Sequence, residues 1–169
     1  MLKVLSHTRQ HAAELRVRRV ITMCMMLYIG AAQDLPVRSS KDLKIESIEP
    51  ARQSVAQWFS QPVVRFVGSH TGCSCGFPSV ISESPVEYYA GMSLQSDDRA
   101  ADLRSVRALI ELLGQAATKS SRVELYPVAD GDEAKPPKGV IEWRLASLDP
   151  ERLFFNERFM HVVHDQRTV

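Results

Sequence analysis

The sequence predicts an α+β fold: a two-layer sandwich in which one mixed or antiparallel sheet of about six strands packs against about three helices. Three observations carry that expectation. Short runs with period-two alternation cluster at both ends of the 169-residue chain. The longest helical pattern, at 97–117, stands between them. No regular succession of strand, helix and strand runs through the chain, as a parallel βαβ array would require.

Taken in order, Cys24-Met25-Met26-Leu27-Tyr28-Ile29 is a compact apolar run ending at Gly30, the form of a buried strand. Residues 33–42 are polar, carry Pro36 and read as a loop, and 43–48 alternates like a half-exposed strand. Pro50 suits a first helical turn, and Ala51, Val55, Trp58 and Phe59 fall on one stripe before Gln61-Pro62 stops the helix. Val63-Val64-Arg65-Phe66-Val67 is the next strand.

Ser84-Pro85-Val86-Glu87 has the form of a capping box, which predicts a short helix carrying Tyr88 and Tyr89 and ending near Gly91. Ser96 caps the long helix, whose inner stripe is expected to be Leu103, Val106, Ile110 and Leu113, with Arg104, Arg107 and Glu111 solvated. The alternating runs 123–128 and 140–145 are expected to pair as a hairpin across the turn-rich segment between them. A helical turn begins at Asp149-Pro150-Glu151, and Phe159-Met160-His161-Val162-Val163-His164 is the final strand.

With 44% apolar and 24% charged residues the chain can bury one core, assigned to a single globular domain over 23–169. Residues 1–22 hold five bases, Lys3, Arg9, Arg16, Arg18 and Arg19, against the lone acid Glu14. They read as a poorly ordered basic extension from an over-called start, with Met23 as the natural initiator. A secretory signal is the competing reading of that segment, but the compact run after Cys24 suits a strand better. The remainder is mildly acidic, so nucleic-acid and membrane-surface binding are not expected. No stretch approaches the roughly 20 apolar residues of a membrane span.

Chemistry concentrates in Gly68-Ser69-His70-Thr71-Gly72-Cys73-Ser74-Cys75-Gly76-Phe77, which holds two of the three cysteines and a histidine at a strand end. Thiolates and imidazole are the usual zinc ligands, so His70, Cys73 and Cys75, with Cys24 as a fourth, are the candidate metal ligands. A single residue between the cysteines makes a tighter chelate than familiar zinc motifs use. The same residues support redox chemistry in which Cys73 and Cys75 exchange between dithiol and a strained disulfide, with His70 lowering one thiol pKa. The plainest alternative is a glycine-rich turn whose cysteines are small buried hydrophobes. An odd cysteine count argues against a closed disulfide framework and for a reducing compartment.

Other patterns are weaker. His161 and His164 point to opposite faces of a strand and cannot share one ion from regular structure. Asp130-Gly131-Asp132-Glu133 opens like a calcium loop but lacks its later ligands. Phosphate-cradling, dinucleotide and nucleophile-elbow motifs are missing.

The stretch from Met23 to Gly30, the Gly68-to-Phe77 loop, Val123-Glu124-Leu125-Tyr126 and Lys135-Pro136-Pro137 together resemble a group of bacterial proteins with no assigned activity. The resemblance spans 23–164 and implies a cytoplasmic setting. The opening at Cys24 is also similar to the start of N-terminal-nucleophile amidohydrolases, over that handful of residues alone. The expectation is therefore a small cytoplasmic protein with a non-catalytic zinc or thiol site. A cysteine-nucleophile enzyme using Cys24 at a processed terminus, or Cys73 with His70, is the alternative. A structural or interaction module without chemistry is the third.

Overall fold

The computed structural model describes residues 24–81, 88–90 and 96–165. The extension 1–22, the capping box at Ser84 and the tail beyond 165 lie outside the described residues. The strands are β1 (Met25–Ala31), β2 (Arg38–Ser39), β3 (Leu43–Glu46), β4 (Val63–Ser69) and β5 (Ser79–Ile81). They continue with β6 (Tyr88–Ala90), β7 (Arg122–Ala129), β8 (Gly139–Arg144), β9 (Phe155–Asn156) and β10 (Phe159–His164). One α-helix, α1 (Ser96–Ala117), and a 3-10 helix over Pro50–Trp58 accompany them, with single 3-10 turns at Ser74–Gly76 and Leu145–Ser147. The fold is α+β, with more strands and fewer α-helices than the periodicity implies.

Seven strands form the main sheet, in the order β2-β3-β4-β1-β7-β10-β8, and β6-β5-β9 form a small second one. Every residue of β1 is buried, which is why its apolar run is continuous rather than alternating: it is the central strand, covered on both faces. On one face Leu27 and Ile29 join Leu109, Leu113 and Val106 of α1. On the other, Tyr28 joins Val55 of the 3-10 helix, Phe66 and Tyr126. The expected two-layer sandwich is thus corrected to a sheet with a core on each side. Gly30 admits the second core, since a Cβ there would lie 2.3 Å from the Phe59 ring.

Three further expectations are corrected. Strands β7 and β8 do not pair; β10 lies between them, antiparallel to β7 (His161 opposite Leu125) and parallel to β8 (His161 opposite Ile141). The reason is burial. β10 has four consecutive buried residues and suits the interior, whereas β8 alternates half-buried and exposed and suits the edge. Tyr88 and Tyr89 belong to β6, paired with Ile81 and Val80, and not to a helix. The inner face of α1 is rotated: Asp102, Ser105, Val106, Leu109, Leu112 and Leu113 are buried, whereas Leu103 and Ile110 are half-buried.

No helix among the described residues is long and apolar enough to cross a membrane.

Candidate functional site

β4 delivers the chain into the 68–77 loop, where Gly72 takes a φ of +82° that L side chains rarely adopt. The turn closes with Gly72 N–H donating to Ser69 O (2.9 Å) and Ser69 N–H to Cys73 O (2.7 Å). The Ser69 hydroxyl donates to Cys73 O (2.8 Å) and accepts from Gly76 N–H (3.1 Å), tying both ends of the loop together. Gly76 must be glycine, because a Cβ would sit 2.6 Å from Ser69 Oγ, 2.8 Å from Asp102 Oδ1 and 2.9 Å from His70 Cε1.

Ser74, between the two cysteines, is fully buried and anchors the loop to the main sheet. Its hydroxyl donates to Val67 O (2.7 Å) and accepts from Leu27 N–H (2.8 Å), bridging β4 and β1 at a paired position. Removing it as Ser74→Ala strands a buried donor and a buried acceptor, each worth about 1–3 kcal/mol. We expect a loss of about 2–4 kcal/mol in urea unfolding. A loss below about 1 kcal/mol would mean the loop is not held this way.

The four sequence-predicted residues separate into two groups. His70 turns to α1: its backbone N–H donates to Ser105 Oγ (3.0 Å), while Nδ1 lies 3.2 Å from the same oxygen and 3.7 Å from buried Asp102 Oδ1. The cysteines turn the other way. All three are unpaired thiols and half-buried. Cys24 and Cys73 line one cleft of about 270 Å³, beside Tyr28, Lys44 and Arg52. Cys75 lies behind Cys73, near enough to both other thiols for their charges to raise its pKa. Among the described residues, no three or more His, Cys, Asp or Glu side chains are grouped so as to hold a metal ion.

The two loop thiols are electrostatically unequal. Burial raises the Cys73 thiol, but hydrogen bonds from the Cys75 thiol, the Thr71 hydroxyl (3.2 Å) and the Cys75 backbone N–H (3.3 Å) outweigh it and hold it below its ordinary value. Burial, followed by the hydrogen bond given to Cys73, pushes Cys75 up to about 12, against a lowering contribution from the Met25 backbone. Cys73, the more easily ionised of the two, therefore faces the cleft, with Cys75 behind it.

The far wall of the cleft is held by a polar network. Tyr28 Oη donates to buried Glu133 (3.1 Å), and burial with the Glu133 charge raises the phenol's pKa well above its usual value. Arg52 joins Glu133 (3.3 Å), Asp130 (2.9 Å) and Glu49, fastening the 3-10 helix to the segment after β7. Sequence reading missed Thr71 and this network; an arginine and acids far apart in the chain give no local signal.

Comparison with family models, with curated proteins and with solved structures returns no match.

Proposed function

We propose that the 68–77 loop is a dithiol redox site in which Cys73 attacks and Cys75 resolves. The inequality of the two thiols carries this reading. With a small disulfide as oxidant, the Cys73 thiolate attacks one sulfur, forming a mixed disulfide and expelling the first thiolate. Cys75 then gives up its proton to solvent, attacks the Cys73 sulfur and expels the second thiolate, leaving a Cys73–Cys75 disulfide and two electrons on the oxidant's sulfurs. The short spacing strains that disulfide and makes it easily reduced, which suits turnover in a reducing, cytoplasmic setting.

The test is incubation with oxidised glutathione followed by peptide mass mapping. A Cys73–Cys75 disulfide, replaced in Cys75→Ser by a trapped glutathione adduct on Cys73, is expected. Adducts spread over all three cysteines, with no internal disulfide, would reject the proposal.

A non-catalytic zinc site is the second reading, supported by the approach of Cys24 to the Cys73–Cys75 pair. Thiolates are zinc's preferred ligands, and Cys24 and Cys73 on the cleft would need Cys75 brought forward from behind them and His70 swung from α1 to make a closed set. Elemental analysis of the purified protein separates the readings. A stoichiometric metal lost in a Cys73→Ser, Cys75→Ser double variant supports zinc, and metal-free protein removes it.

A further inference from the structure

The two edges of the main sheet are built differently. β2 closes one side with two exposed residues, too short a strand to template another. β8 closes the other with six, and its register with β10 runs without a bulge from Gly139 opposite Phe159 to Arg144 opposite His164. The outward-facing N–H and C=O groups of β8 bond to no other described residue. Shortness, a bulge or an internal proline commonly protects an edge strand, and β8 has none of the three.

The side chains of β8 add a second observation. Val140, Glu142 and Arg144 alternate onto one face and are exposed, whereas Ile141 and Trp143 lie half-buried on the other. Glu142 is met by His164, yet its side chain stays 59% exposed, and a carboxylate has acceptor sites to spare. Arg144 has no acidic partner among the described residues. An acid and a base two residues apart on one strand face are self-complementary. In an antiparallel copy their order is reversed, so each can meet the other.

We infer that β8 pairs edge to edge with β8 of a second copy, antiparallel about a two-fold axis at Trp143. Glu142 of each copy then lies opposite Arg144 of the other, and the two Trp143 side chains form a cross-strand aromatic pair on the other face. Centring on Glu142 would set two carboxylates opposite each other, and centring on Ile141 would set Lys138 opposite Arg144, so the charges select this register. The two sheets become one, and both of its outer edges are β2, so assembly closes at a dimer.

The test is sedimentation equilibrium of the full chain over about 5–500 µM, for wild type, Arg144→Glu, Glu142→Arg and an equimolar mixture of these two variants. Wild type is expected to dimerise with a dissociation constant of about 10–100 µM, as suits a short ladder. Each variant alone sets like charges opposite each other and should weaken self-association at least about tenfold. In the mixture every introduced charge faces its opposite, so a heterodimer of about wild-type affinity should return. Should either variant fail to fold, the milder Arg144→Gln carries the test, with a loss of about three- to tenfold expected.

Wild type that stays monomeric to about 500 µM, whether the edge remains bare or takes a strand from another protein, overturns the inference. A dimer unmoved by these substitutions does so too, as do folded variants that fail to associate on mixing.

Discussion

Between pH 6.5 and about pH 4 the folded state is expected to lose about 3 kcal/mol of stability through His161 alone. Burial lowers this imidazole from 6.5 to about 4. Above pH 6.5 the ring is neutral in both folded and unfolded chains, so its titration adds no pH dependence. As pH falls below 6.5 the unfolded chain takes up a proton that the folded chain refuses, and unfolding becomes easier until the folded pKa is reached. The loss therefore runs toward acid and ends near pH 4.

Urea midpoints at pH 7, 5.5 and 4 for wild type and His161→Phe check this, because the difference between the two isolates the histidine from acid titration of carboxylates. The variant should be weaker at neutral pH, having lost the acceptor for the Asn156 N–H, and its deficit should shrink by about 3 kcal/mol at pH 4. A deficit that stays constant with pH would show that His161 titrates normally in the fold.

The second large effect concerns reactivity. Iodoacetamide should modify Cys73 before Cys75, with a rate that begins to climb at a pH below that of an ordinary thiol. Thr71→Val removes the hydroxyl donor and Cys75→Ala the thiol donor, and each should slow Cys73 at pH 7 about five- to tenfold by raising its pKa. Rates corrected to the thiolate fraction should rise slightly in both variants, because a more basic thiolate is the better nucleophile. Unchanged Cys73 rates in both variants would remove the electrostatic basis of the dithiol proposal.

Much of the main sheet was legible because burial on two faces writes a continuous apolar run, as in β1, and burial on one face writes alternation, as in β3. What was hidden depended on distant partners. The capping grammar at Ser84 is local, whereas Tyr88 and Tyr89 are set by pairing with β5. Periodicity favoured Leu103 and Ile110 for the inner face of α1, but Asp102 and Ser105 point inward because the His70 turn presents polar atoms for them to meet. At the loop, clustering in sequence identified the cysteines. It could not reveal that His70 and the thiols face opposite ways, since the strand exit and Gly72 decide that. In the sequence His161 stands out only beside His164; its burial comes from Trp143 and Phe155, which enclose it from other strands.

The insertion of β10 between β7 and β8 has a consequence for synthesis. On the ribosome β7 and β8 emerge first, yet β8 has no neighbour to bond until the strand ending at His164 has left the exit tunnel. Five of the seven strands of the main sheet, β2, β3, β4, β1 and β7, can assemble co-translationally, while its far edge must wait. During that interval the hydrogen-bonding edge of β7 that β10 will pair lies open, so the nascent chain is most prone to mispairing just before β10 appears.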